Sequence, residues 1–332
     1  MLKSVLKFSV LLCLTSLFPG VEITGQQDRT PEDYRNYHSQ INQAENQLAE
    51  VRYAEALATY ETIFDVYDFV FCRDYKIAAQ VAVYLNDNQR ALQIMEKAFA
   101  SGWEWKDAKH LKSLESLRDD PAWSILEDSY DSLRTVYLNR IDSQTRETVH
   151  EMFKKDQKKA LGALMRIGNK AQQAYGEKKF VPHSELQLAE LMEIINTKGY
   201  PGEMQIGNDF WGSTILSHHN SISPEYNQSD TLYLNLRPYL LQALRAGEIS
   251  PYEFAMIEDW KIATTSEWNE PGYGYLNAPS TSTLSETDSL RLAIGLRTVA
   301  LRNTLVEVEE ITGINLFLPD WVKGKIEIEK GE

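Results

Sequence analysis

The chain has 332 residues, 43% of them hydrophobic and 25% charged, a balance that supports a folded core and excludes disorder as the resting state. With 34 Lys and Arg against 48 Asp and Glu, its formal net charge is -14, so no general electrostatic attraction draws it to nucleic acid or anionic lipid. Residues 1–25 read as an export signal. Lys3 and Lys7 make a positive start, and Phe8 to Phe18 is an apolar run too short to cross a bilayer core of about 30 Å as a helix. Cleavage near Gly25 removes Cys13 and leaves Cys72 as a lone thiol, without an internal disulfide. The expectation is an exported protein, periplasmic or secreted, with no membrane span in the mature chain.

From Asp33 to about Gly102 the apolar spacing predicts helices near 33–50, 53–68, 73–86 and 88–101, with Asn86-Asp87-Asn88 as the turn before the last. Ala56-Leu57-x-x-Tyr60-Glu61-x-x-Phe64 recurs as Ala91-Leu92-x-x-Met95-Glu96-x-x-Phe99, 35 residues on. A small Ala lets two helices approach, and the larger residues four and eight positions later fill the groove between them. This pattern resembles the tetratricopeptide repeat, although the Trp and Gly of its usual first helix are missing. Two repeats are fewer than such a stack needs alone. Trp103, Trp105 and Trp123, with Leu111, Leu114 and Leu117, are therefore expected to cap it, giving a repeat region over 33–137.

A second helical domain is expected over 140–325. A charged helical segment runs from Arg140 to about Tyr175, Glu177 to Pro182 breaks it, and Ser184 caps a helix over 185–197. Gly199-Tyr-Pro-Gly202 closes that helix, and Asn208 is the expected N-cap of the next. On that helix Ile215 and His218 fall within roughly 40° of Trp211, so His218 faces inward. His219 lies at the margin of this face, and Asn220 points away unless the helix has ended. Adjacent histidines diverge by about 100°, which is not the i, i+4 pair of zinc sites, and neither a metal site nor a cofactor is expected. Helices follow over 231–246 and 251–263, the second capped by Ser250 with Pro251 at its first position and with Glu258 and Asp259 in its last turn. Residues 264–285 form a long loop rich in aromatic residues, including Trp268, Tyr273 and Tyr275, of the kind that covers sites. Leu284 to Glu310 returns to helix, and Leu316 to Trp321 packs the end.

The residues from about Arg140 to Trp321 resemble an uncharacterised bacterial all-helical domain family. Its pattern has an Asp-Gln pair, Gly-x-Pro-Gly, Gln-His-x-Asp, Asp-Arg and Tyr-Gly-Thr-Gln. The matches are Asp156-Gln157, Gly199-Tyr-Pro-Gly202, His218, Asp259 and Tyr273-Gly274. Ser217, Asn220, Trp260 and Tyr275-Leu276 depart from it. The resemblance implies a polar pocket around His218, Asp259 and Tyr273, from which this chain has lost a carboxylate and a guanidinium.

Taken together, the chain is expected to be all-α, with tetratricopeptide-like helical hairpins followed by a second all-helical domain. The leading functional reading is a non-enzymatic binding or scaffold protein. Its repeat would take a protein partner, and its C-terminal pocket, with His218, Trp211, Asp259, Tyr273 and Tyr275, would take a small ligand or peptide. The alternative is a hydrolase with His218 as base or metal ligand, Asp259 orienting it and Tyr273 donating to developing negative charge. In a third reading the C-terminal domain only buries the open end of the repeat stack, and no cavity is present.

Overall fold

The computed structural model describes residues 33–318 and 322–330. The export signal and Trp321 lie outside the described residues. Those described belong to one compact all-α unit, with no β-strand among them.

Four helices open it: α1 (Tyr34–Ala49), α2 (Tyr53–Val66), α3 (Cys72–Tyr84) and α4 (Asn88–Ala100). Asp33 and Asp87 cap α1 and α4 by accepting backbone N–H groups, and Asn86 takes the left-handed conformation (φ 61°) that the tight turn requires. Consecutive helices pack in pairs, α1 on α2 and α3 on α4, an arrangement compatible with the repeat. Ala56 and Ala91 are fully buried, as are Tyr60, Met95 and Phe99, so both copies of the motif point into the same core. Cys72 opens α3 from inside this core, and burial pushes its thiol up to about 12, far from a reactive thiolate.

The short α5 (Trp105–Ala108), a 3-10 turn (Lys112–Asp119) and α6 (Pro121–Arg140) close the first cluster. Trp103 stacks on Phe99 with ring centroids 5.5 Å apart, and Trp105 bridges Phe99 and Trp123. The same cluster takes Leu305, Val308, Ile314 and Leu316 from the far end of the chain.

The chain continues through α7 (Ser143–Leu164), α8 (Asn169–Tyr175), α9 (Val181–Lys198), α10 (Glu203–Ile206), α11 (Trp211–Asn220), α12 (Pro224–Ser229), α13 (Leu232–Ala246), α14 (Pro251–Thr265), α15 (Leu284–Ala293) and α16 (Val299–Thr312), and a second cluster is built mainly on α7, α9, α11, α13, α14 and the start of α16. α11 is its hub, packed on α14, α7 and α9. Ser250 and Glu253 form a reciprocal capping box at the start of α14, and Gly247 ends α13 in the left-handed conformation (φ 74°).

Several boundaries differ from the sequence reading. The charged segment splits between α7 and α8. The expected breaker is a π-helical turn, Gly176–Phe180, that leads directly into α9; Pro182 sits in the first turn of α9, where a missing N–H costs nothing. Ser184 is therefore internal to α9 rather than its cap. Asn208 does not cap α11; Phe210 precedes the first turn, and the Asn208 amide donates to the Ser101 carbonyl at 3.4 Å. α14 runs on to Thr265, which puts Glu258 and Asp259 in its interior. The expected helix over 284–310 breaks at Gly295 (φ 84°), where a side chain would meet His38 Cβ at 2.7 Å.

Candidate functional site

α11 carries the histidines, and each meets a different neighbour. His218 faces α7, where its Nδ1 lies 2.5 Å from Asp156 Oδ2. Asp156 is wholly buried, and its other oxygen has no hydrogen-bond partner. One nitrogen of His218 is thus fixed, while Nε2 makes no hydrogen bond among the described residues and the ring lines a cavity. A carboxylate on one ring nitrogen sets the tautomer and leaves the other free for chemistry or for a ligand.

His219 turns to α9 and the start of α13. Its Nδ1 is 2.9 Å from Ser184 Oγ and its Nε2 is 3.2 Å from Asp230 Oδ2, with Lys261 Nζ 3.6 Å from the same carboxylate. The three residue types are those of a hydrolase triad. However, Ser184, His219 and Asp230 are all buried and none lines the cavity, so no substrate reaches the hydroxyl. The set satisfies buried polar groups instead. Asn220, which the helical wheel turns outward, is also fully buried: its amide donates to Ile257 O at 2.9 Å.

The cavity, of about 1080 Å³, lies between α1, α3 and the end of α16 on one side and α10, α11 and α14 on the other. Such a volume suits a small molecule or a short peptide. On the first side, Arg73 pairs with Glu45 at 2.8 Å and Asp74 at 3.2 Å, and Arg297 pairs with Glu45 at 2.6 Å. Tyr37 Oη donates to Asp74 at 2.5 Å, which completes a buried polar network behind the wall. On the second side stand Glu203, which accepts the Cys72 N–H at 2.6 Å, and the cap residue Glu253. Burial pushes both carboxyls up to about 7.

Of the residues singled out in the sequence, His218 and Tyr275 line this cavity, and Trp211, Asp259 and Tyr273 do not. Asp259 is a loop anchor: its two oxygens accept the backbone N–H groups of Tyr273 at 2.5 Å and Tyr275 at 2.8 Å. Burial raises its carboxyl to about 7 even though these donors favour the ionised form. The buried Arg291 holds the other side of the loop, donating to Tyr273 O and Arg297 O, each at 2.7 Å. Trp211 stacks on His150 at 4.3 Å with Arg146 over its ring. No family model, curated protein or solved structure matches this chain.

The structure separates the expected His218, Asp259 and Tyr273 set into two places: a His218–Asp156 pair at the cavity wall, and an Asp259-anchored loop beside it. Sequence reasoning missed Asp156 as the partner of His218, although the Asp156-Gln157 motif had marked it. It missed the Arg73 and Arg297 network and the place of Glu203 on the same wall, because nothing in their local spacing announces a shared wall. Among the described residues, no group of three His, Cys, Asp or Glu side chains has the arrangement of a metal site. No helix among them is long and apolar enough to cross a membrane.

Proposed function

We propose that this is an exported, non-enzymatic binding protein that holds a small ligand or peptide in the cavity between its helical hairpins and its C-terminal helices. The observation that carries this reading is the cavity itself, large, lined by ionisable and aromatic side chains from both clusters, and backed by a fixed polar network. Pre-formed concave sites with a few convergent polar groups are where ligands bind. Export rests on the charge and apolar pattern of residues 1–25, and cell fractionation with N-terminal sequencing of the product tests it. A protein partner for the helical hairpins rests on the repeat motif.

The test of the cavity is thermal unfolding of the purified protein across a metabolite and peptide panel, repeated with Thr214→Trp at a half-buried wall position. A ligand-dependent rise in melting temperature that Thr214→Trp abolishes supports the reading. A panel without any shift, or a shift that survives the filled wall, sinks it.

A second reading is favoured by the His218–Asp156 pair. With Nδ1 held by a carboxylate and Nε2 free on the cavity, His218 has the arrangement of a general base that could activate water on an ester or amide. Turnover of any such substrate that is lost in His218→Ala would replace the binding account with this one.

A further inference from the structure

The charges on the cavity wall do not cancel, and the remainder has a sign. Arg73 and Arg297 are neutralised by Glu45 and Asp74, and Asp209 by Arg146 at 2.6 Å. Glu309 accepts the Leu316 N–H at 2.6 Å at the edge of the lining. Glu203 and Glu253 have no cation within ion-pair distance among the described residues. The one lining ammonium without a carboxylate at that distance, Lys76, rests on the faces of Trp103 and Phe317, 5.9 and 5.2 Å from their centroids. Glu253 is only 4% exposed, and its carboxylate accepts the Ser250 N–H at 3.2 Å and the Ser250 hydroxyl at 2.9 Å, neutral donors that leave its charge without a counter-ion. Beside these carboxylates the wall is aromatic, with Phe71 and Tyr252 both lining the cavity. His38 adds an independent sign: it is 6% exposed, lines the same cavity, and its Nε2 has no partner. A neutral imidazole has one donor and one acceptor nitrogen, so this ring leaves one hydrogen bond for a ligand to meet.

We propose that the cavity seats a ligand carrying a protonated amine, held by the Glu203 and Glu253 carboxylates beside the Phe71 and Tyr252 rings. This rests on the cavity being a binding site, as argued above. Lys76 and Arg140 act on the part-buried Glu203 only from beyond ion-pair distance, so a bound cation would add the direct partner that neither carboxylate has, and the pair disfavours any anion in the same place. Aromatic faces beside the carboxylates add cation–π attraction for an ammonium and an apolar bed for the chain that carries it.

Three probes matched in size and differing in charge separate the outcomes: phenethylamine, 2-phenylethanol and phenylacetate, titrated calorimetrically into the full chain at pH 8. The amine is expected to bind at least tenfold more tightly than the alcohol, and the acid not at all. Glu203→Gln and Glu253→Gln should each weaken the amine at least tenfold. Gln at position 253 keeps the capping function, and Glu203→Gln decides the matter alone if the other variant melts early. Preference for the alcohol or the acid overturns the charge assignment and leaves the cavity reading standing. Amine binding that neither substitution weakens places the amine elsewhere and overturns the proposal. Absence of binding by all three up to millimolar concentration overturns both.

Discussion

His218 on α11 and Asp156 on α7, 62 residues apart in sequence, meet at 2.5 Å through Nδ1 and Oδ2, and this contact fixes where the helical hub stands against its neighbour. Asp156 is fully buried and has no second partner, so the pair is asymmetric: His218 can reach the cavity, whereas Asp156 has only His218. Removing His218 strands a carboxyl in the core.

His218→Ala is therefore expected to destabilise the protein by about 2–4 kcal/mol, and Asp156→Ala by a similar amount. The double variant should cost clearly less than the sum, with a coupling of about 1–3 kcal/mol. Urea unfolding of the four proteins measures it. Additive losses would mean that the two side chains do not act on each other.

Asp259 is expected to hold the 266–283 loop rather than any ligand. Asp259→Ala leaves the Tyr273 and Tyr275 N–H groups buried without acceptors, a loss of about 2–4 kcal/mol. Limited proteolysis should then cut between Ser266 and Thr283 well before it cuts elsewhere. Unchanged protection of the loop would show that Arg291 alone suffices.

The parts of this structure that were legible in the sequence are those set by local spacing. The four opening helices follow from caps and turns within a few residues of each boundary, and the buried faces of Ala56, Tyr60, Ala91 and Met95 follow from the 35-residue echo. What failed depends on distant partners. Asn220 reads as outward on a wheel, yet the Ile257 carbonyl draws it in. Glu258 and Asp259 read as lying in the last turn of their helix. In the structure α14 continues, Glu258 takes Tyr233 and Arg237, and Asp259 takes a loop whose own chemistry could not reveal its anchor. Pro182 reads as a break because a π-helical turn before it carries no sequence signature that spacing can expose.

The repeat-like packing makes its own prediction. Ala56 and Ala91 are fully buried where their helices meet neighbours, so Ala56→Leu or Ala91→Leu must push helices apart. Each should cost about 1–3 kcal/mol by overpacking, while Ala58→Leu, one turn-face away and exposed, should be nearly neutral. Chemical unfolding that ranks the three alike would deny the motif its role in packing.

Burial pushes the carboxyls of Glu203, Glu253 and Asp259 from their ordinary range near 4 up to about 7. Between those values the folded chain keeps protons that the unfolded chain has released, so stability falls as pH rises through the window and the loss is complete above 7. His38 works the other way. Burial lowers it from 6.5 to about 3, so below 6.5 the unfolded chain takes a proton that the folded chain refuses, and stability falls with falling pH. Going from pH 8 to pH 6, each carboxyl returns about 1.4 kcal/mol while His38 removes about 0.8 kcal/mol, a net gain of roughly 3 kcal/mol. The melting temperature should accordingly be several degrees higher at pH 6 than at pH 8. Glu253→Gln should flatten that slope by about two-fifths, because it deletes one of the three carboxyl titrations while the opposing His38 contribution remains. A melting temperature that is level or rises toward pH 8 would mean these carboxyls are ionised in the folded protein at little cost. Their charges would then need no cation to offset them, and the case for an amine in the cavity would weaken with them.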